Sequence, residues 1–241
     1  MPLRALALAA CLLLSACAGG PAPQRSTLAR WTPSPNESAR RPELIVLHHT
    51  AIPDMATSLQ VLRRQGGDDP VSAHYLVGPD GEIRQLVDDG RRAWHAGASR
   101  WGSITDVNSA SIGIEIVNDG HSPFPPAQIQ ALIALLNDVT QRLGIAKTAV
   151  VGHADIAPGR KDDPSVYFPW AELARYGFGR WYTLPLLPAP AGFDAMNALR
   201  LVGYDTHDPR AAVVAFHRHF RASEGDVLDA TDAAILASLT R

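Results

Sequence analysis

SIGIEIV, residues 111–117, alternates strictly: Ile112, Ile114 and Ile116 fall on one side of an extended chain, and Gly113, Glu115 and Val117 on the other. The alternation reads as a β-strand and leaves Glu115 as a carboxylate among apolar neighbours. An ionised carboxylate in such a place costs several kcal/mol unless a cation or hydrogen bonds stabilise it. Working outward, LIVLHH at 44–49 is a leucine and β-branched run suited to a buried strand, and TAVVGH at 148–153 contains a shorter one. Both runs end on histidine. Between them, HYLVGPDGEIRQLV at 74–87 places two strands around a Pro-Asp-Gly turn. Asp54 is placed to cap a short helix running to Arg64. Residues 127–143 carry Ile129, Leu132, Ile133, Leu136, Val139 and Leu143 on one helical stripe, with Gly144 as the stop. Strands interleaved with helices around a hairpin predict an α/β fold, a mixed central sheet flanked by helices.

Past residue 183 the texture changes. LPLLPAPAG is a proline-rich joint, and three short helices are predicted near 191–201, 209–220 and 229–239. Their apolar positions, among them Leu199, Val202, Val213, Phe216, Phe220, Ile235 and Leu239, can meet in one small core. A unit of that size is marginal alone and is expected to lean on the larger domain.

The first residues, MPLRALALAACLLLSAC, have one arginine, an apolar run and then small residues before Cys17. That is the build of a secretory signal, too short to span a bilayer. Leu14-Ser15-Ala16-Cys17 resembles the lipobox of bacterial lipoproteins, in which the cysteine is lipidated and becomes the first mature residue. Cys11 and Cys17 are the sole cysteines, so such a mature chain has no disulfide and folds on its core, a metal, or both. Ala18 after the cysteine implies, by the same resemblance, sorting to the outer membrane, facing the periplasm of a Gram-negative cell. Residues 18–40, rich in Pro, Ser, Ala and Gly without apolar periodicity, read as a tether with an r.m.s. reach of ~25 Å. The organisation expected is a signal peptide at 1–16, a lipid-anchored tether at 17–40, a catalytic domain at 41–182 and a helical domain at 183–241. A formal charge of −2, with no basic block, makes nucleic acid a poor partner. The chain is expected to act as a monomer.

GHADIAPGRKDDP at 152–164 gathers imidazole, ammonium and carboxylates on a loop rich in glycine and proline. With His48 after LIVL, His153 and Asp163 make a candidate set of two imidazoles and one carboxylate, the count that hydrolytic zinc takes while leaving one position open. The set lacks the compact spacing of HExxH, and each member has a plainer alternative. A histidine at a strand end is often structural, Asp163 before Pro164 can simply shape a turn, and Lys161 can be a solvated lysine. Glu115 is harder to set aside, because a nearby metal would account for it.

Five blocks in order, LIVLHHTA, VSAHYLVGPDG, AWHAG, NSASIGIEIVN and GHADIAPGRKDDP, closely resemble the zinc-dependent N-acetylmuramoyl-L-alanine amidases of the Amidase_2 family, across about residues 41–170. That family shares its fold with phage T7-type amidases and peptidoglycan recognition proteins. The resemblance implies one catalytic zinc ion on His48, His153 and Asp163, with Glu115 as general base and Lys161 at the developing oxyanion. Some binding-only recognition proteins lack the third ligand, and its presence here favours catalysis. His74 and His95 match positions that line the family's cleft and are expected to contact substrate, with a core or supporting role as the alternative, and Trp94 and Asn108 are expected as further contacts to sugar or peptide. His49 and Asp162 are expected to stand outside the ligand set.

The activity implied is hydrolysis of the amide between the lactyl group of N-acetylmuramic acid and L-alanine of the stem peptide. The partners implied are peptidoglycan and muropeptides, plus the membrane through Cys17. The helical domain is expected to resemble a peptidoglycan-binding module. The rivals are a non-catalytic peptidoglycan-binding lipoprotein of the same fold and a zinc peptidase cutting within the stem.

Overall fold

The computed structural model describes residues 25–39, 42–66 and 69–241. The N-terminal part contributes β1 (Arg30–Trp31), β2 (Glu37–Ala39), β3 (Leu44–His49), α1 (Met55–Arg63), β4 (Tyr75–Val77), β5 (Ile83–Gln85), β6 (Arg91–Ala93), α2 (Val107–Ala110) and β7 (Ser111–Ile116). The chain continues through α3 (Pro126–Leu143), β8 (Val150–Gly152), α4 (His153–Ile156) and α5 (Trp170–Arg175), then α6 (Ala195–Val202), α7 (Pro209–Arg221) and α8 (Ala230–Leu239).

Six strands form one sheet in the order β1-β5-β4-β7-β3-β8, mostly parallel, with β4 and β5 as the antiparallel hairpin. Strand alternation sorts the residues as the sequence requires. Ile45, Leu47, Ile112, Ile114 and Ile116 join the main core, closed by α3 through Ile129, Leu132, Leu136 and Val139. Leu44 and Val46 pack on the opposite face with Ala96, Val107, Val151 and Ile156. Each fully buried Leu or Ile contributes about 2 kcal/mol relative to exposure, so the α3 stripe fixes which face is core. His48 and Glu115 consequently share the second face, and the register sets them side by side as partners on β3 and β7.

The local signals also hold. Asp54 caps α1 by accepting from the Thr57 N–H at 2.7 Å. Gly144 ends α3 with φ of 69°, a left-handed conformation that favours glycine. Short elements β1, β2, β6, α2 and α5 were not anticipated from sequence, since two to six residues carry too little periodicity.

The tether is the main correction. Residues 25–39 belong to the fold: β1 pairs with β5, β2 pairs with β6, and Ser26, Ser34 and Asn36 are buried. Ser34 Oγ donates to the Leu62 carbonyl at 3.1 Å, Asn36 Nδ2 to the Arg64 carbonyl at 3.1 Å, and Ser72 Oγ to the Asn36 carbonyl at 2.6 Å. Polar side chains and backbone hydrogen bonds hold this segment, and they leave no hydrophobic period to read. The signal segment, Cys17 and the lipobox lie outside the described residues. No described helix is long and apolar enough to cross a membrane.

The three C-terminal helices form close to where the sequence places them, around Leu199, Val202, Val213, Phe216, Phe220, Ile235 and Leu236. They pack back on the larger domain, where Tyr204 meets Trp101 edge to face at 5.1 Å.

Candidate active site and metal centre

Parallel pairing of β3 with β8 puts Leu47 level with Gly152, so the next residues, His48 still within β3 and His153 opening α4, stand side by side. Asp163 returns on the following loop, held by the Ala154 N–H to its carbonyl at 2.7 Å. His48 Nδ1 stands 2.9 Å from His153 Nδ1, and Asp163 Oδ2 is 3.1 Å from each. All three are buried, and they are the sole group with metal-ligating geometry among the described residues.

The hydrogen-bond network fixes what those atoms present. Ser111 Oγ donates to the Val107 carbonyl at 2.5 Å, so toward His95 Nε2, at 3.3 Å, it accepts. His95 therefore carries its proton on Nε2 and offers the Nδ1 lone pair, which takes the His48 Nε2–H at 3.0 Å. His153 Nε2–H likewise donates to the Ala96 carbonyl at 3.1 Å. Both ligand histidines thus turn an unprotonated Nδ1 toward an ionised carboxylate. Three lone-pair atoms converge, an arrangement that only a cation satisfies. Their separations stand near the ~3.3 Å that a tetrahedral zinc with bonds of ~2.0–2.1 Å imposes, so donor set and spacing fit zinc.

Electrostatics agree. Burial and the neighbouring His153 depress the His48 imidazole to about 4, so it is neutral near pH 7.

Beside this set lies a cavity of about 260 Å³ lined by Glu115, Lys161, Trp94, His95 and the ligands. Glu115 Oε2 is buried without a hydrogen-bond partner. Burial pushes its carboxyl up to about 8, Asp163 adding to the rise and Lys161 opposing it. Lys161 is exposed and reaches the cavity from the loop between the ligands. Larger clefts of about 420 and 470 Å³ occur elsewhere without the ligand set. Chemistry here is located by donors, not by volume.

The expected substrate contacts divide. Trp94 lines the cavity and is part exposed. His95 also lines it, but its ring supports His48, the supporting role left open by sequence. Gly113 makes that support possible, since a Cβ there would stand 2.4 Å from His95 Cγ. His74 is fully buried between backbone groups, accepting from the Gly113 N–H at 2.9 Å and donating to the Arg91 carbonyl at 3.0 Å, and it does not line the cavity. Asn108 Oδ1 accepts from the His95 and Ala96 N–H groups at 3.0 and 2.8 Å, so it shapes the loop. These two corrections share a cause: sequence position near a site does not say where a ring or amide points. His49 stands outside the ligand set, accepting from the Ser165 N–H at 3.2 Å. Arg160 was missed. It donates to the Ala96 and Ala98 carbonyls at 2.6 and 2.9 Å, tying down the loop that orients His153, and only its place in GRKDDP hinted at this.

Comparison with known proteins decides the family. Residues 38–166 match the Amidase_2 family model, described as N-acetylmuramoyl-L-alanine amidase. The chain belongs to this family. It is a hydrolase, and the catalytic reading stands over the binding-only one. AmiD, an N-acetylmuramoyl-L-alanine amidase of Escherichia coli K12, is 38% identical over 247 residues, covering 88% of each chain. A solved complex of E. coli AmiD with anhydro-N-acetylmuramic acid-L-Ala-D-gamma-Glu-L-Lys superposes with a TM-score of 0.74 at 37% identity, covering 84% of this chain and 90% of that one. AmpDh3 of Pseudomonas aeruginosa, solved with an anhydromuramic pentapeptide, gives 0.72 at 34% identity, over 90% of this chain and 97% of that one.

Proposed function

We propose that this amidase cuts the bond between the lactyl group of N-acetylmuramic acid and L-alanine, using zinc held by His48, His153 and Asp163. When bound, zinc supplies Lewis acidity at the scissile carbonyl and lowers the pKa of water from about 15.7 to about 7. The observation that carries the assignment of roles is the buried, unpartnered Oε2 of Glu115 beside the ligand set. Glu115 takes a proton from the attacking water as the C–O bond forms, then delivers it to the L-alanine nitrogen as the C–N bond breaks. Its reluctance to stay ionised in this pocket suits a group that must both accept and return a proton. The Lys161 ammonium donates to the carbonyl oxygen as charge gathers there, and replacing it with Met is expected to lower turnover by about 100-fold. Trp94 offers an apolar wall for sugar or peptide.

The ligands in the two related complexes support anhydro-muropeptides as substrates. Ordinary muropeptides carry the same amide between the lactyl group and L-alanine, so they belong to the same proposal. We also place the chain, as a monomer, on the outer membrane through a lipid on Cys17, with the helical domain adding affinity for the wall.

The test is mass spectrometry of anhydro and reduced muropeptides after incubation with the chain from Ala18 onward and zinc, with Glu115→Ala as control. Stem peptides that begin with L-alanine, absent with the variant, are the expected products. Fragments cut within the stem would replace the proposal with a peptidase, and uncut muropeptides would refute the roles of Glu115 and Lys161.

A further inference from the structure

The two halves of the molecule meet at one buried carboxylate, Asp155, two residues beyond the ligand His153. Its Oδ2 accepts from the Gly152 N–H at 2.7 Å and closes the turn that presents His153. The same turn supports the second ligand segment. The Ala154 N–H donates to the Asp163 carbonyl at 2.7 Å, and a Cβ on Gly152 would stand 2.9 Å from Pro164 Cδ. Residues 152–155 are thus the common footing of two of the three ligands.

Asp155 is 1% exposed, and a carboxylate withdrawn from water needs donors on both oxygens. Besides the Gly152 N–H, its side-chain donors come from the C-terminal helical unit. The Tyr204 O–H donates to Oδ1 at 2.7 Å, and the His219 Nδ1–H to Oδ2 at 2.6 Å. Both rings are buried and braced. His219 stacks on Trp170 with centroids 3.8 Å apart and planes 11° apart, and Tyr204 packs edge to face on Trp101. A backbone bond from the Gly102 N–H to the Gly203 carbonyl at 2.8 Å locks the Tyr204 loop to the larger domain.

We propose that Tyr204 and His219 are positioning residues of the metal centre, so that the helical unit buttresses the active site through Asp155 in addition to any role at the wall. The inference rests on the metal reading of His48, His153 and Asp163. Without these donors Asp155 is short of two partners in a dry place. Its direct relaxation is to turn away, which frees the Gly152 N–H and loosens the footing of His153 and Asp163. Metal ligands held by outer partners typically lose 10–100-fold in metal affinity when a partner is removed.

The experiment is zinc affinity of the full chain, measured by competition with a chromophoric chelator on variants shown by circular dichroism to melt cooperatively. Tyr204→Phe keeps the ring and removes the hydroxyl. His219→Leu removes the donor, and His219→Asn restores an N–H near the Nδ1 position. Ile235→Ala loosens the helical core without touching Asp155. Affinity about 10-fold or more weaker in Tyr204→Phe and His219→Leu, with recovery in His219→Asn and native affinity in Ile235→Ala, is the expected pattern. Native zinc affinity in folded Tyr204→Phe would overturn the buttress while leaving the metal reading intact, and this variant decides the matter even where His219→Leu fails to fold. Equal loss in Ile235→Ala would also overturn it, by reducing the effect to general stability. A native chain that takes up no zinc would overturn the metal reading and the buttress with it.

Discussion

The molecule buries imidazole beside carboxylate in two very different ways. In the helical unit, His217 sends one ring nitrogen to the Gly225 carbonyl at 2.6 Å and the other to Asp232 Oδ2 at 2.9 Å. Asp232 in turn receives the Asp229 N–H at 2.7 Å and Arg221 Nη1 at 2.5 Å. Both Asp232 oxygens there have donors from groups other than the imidazole. At the ends of β3 and β8, two Nδ1 atoms and Asp163 Oδ2 converge with no proton to share. The lesson is that residue type and burial do not separate structure from function. The count of protons against lone pairs does, because a matched network is complete in itself and an unmatched one needs a cation.

That contrast can be broken by mutation. The largest expected effect is Asp163→Ala, which removes a ligand and should weaken zinc binding well beyond the ~100-fold typical of an outer partner, read by chelator competition. Zinc binding at native strength would disprove the ligand set. Next, His95→Phe leaves the His48 Nε2–H without its acceptor and lets the ring choose the other tautomer. Zinc affinity should fall about 10–100-fold in a chain that still folds. His217→Ala should do the reverse, destabilising the protein by about 3 kcal/mol in denaturant titration while zinc affinity stays native. A parallel loss of zinc would erase the distinction between the two clusters.

A separate effect is on pH. Burial raises Glu115 from an ordinary carboxylate value of 4.5 to about 8. The folded state therefore binds this proton more tightly than the unfolded state, and the stability it lends is complete below pH 4.5 and lost as pH rises toward 8. His48 works in the other sense. With its value depressed from 6.5 to about 4, its contribution is complete above pH 6.5 and fades as pH falls toward 4. Metal-free protein should melt at lower temperature on both sides of a middle range, and Glu115→Gln should flatten the alkaline side alone. An unchanged alkaline slope in that variant would remove Glu115 as its source.

Much of the fold was legible in the chain. The period of two in SIGIEIV, the stripe of residues 127–143 and the stop at Gly144 each state a local preference that the tertiary structure keeps. The ligands were legible in part, since His48 and His153 follow strand runs and Asp163 sits in a loop of matching chemistry. The folded segment 25–39 was not legible, because polar hydrogen bonds at long sequence separation leave no period.

The sequence alone determined which residues face the core, where the main strands and helices run, and which side chains are able to hold a metal. Alternation and helical spacing are properties of neighbours along the chain, so they can be read there. Only the tertiary structure decided that His48 and Glu115 stand level, that His95 supports a ligand, that His74 is held by backbone, and that Tyr204 and His219 reach Asp155 from 49 and 64 residues away. Register, ring tautomer and donor supply depend on groups distant in sequence, and no local pattern records which of them will meet.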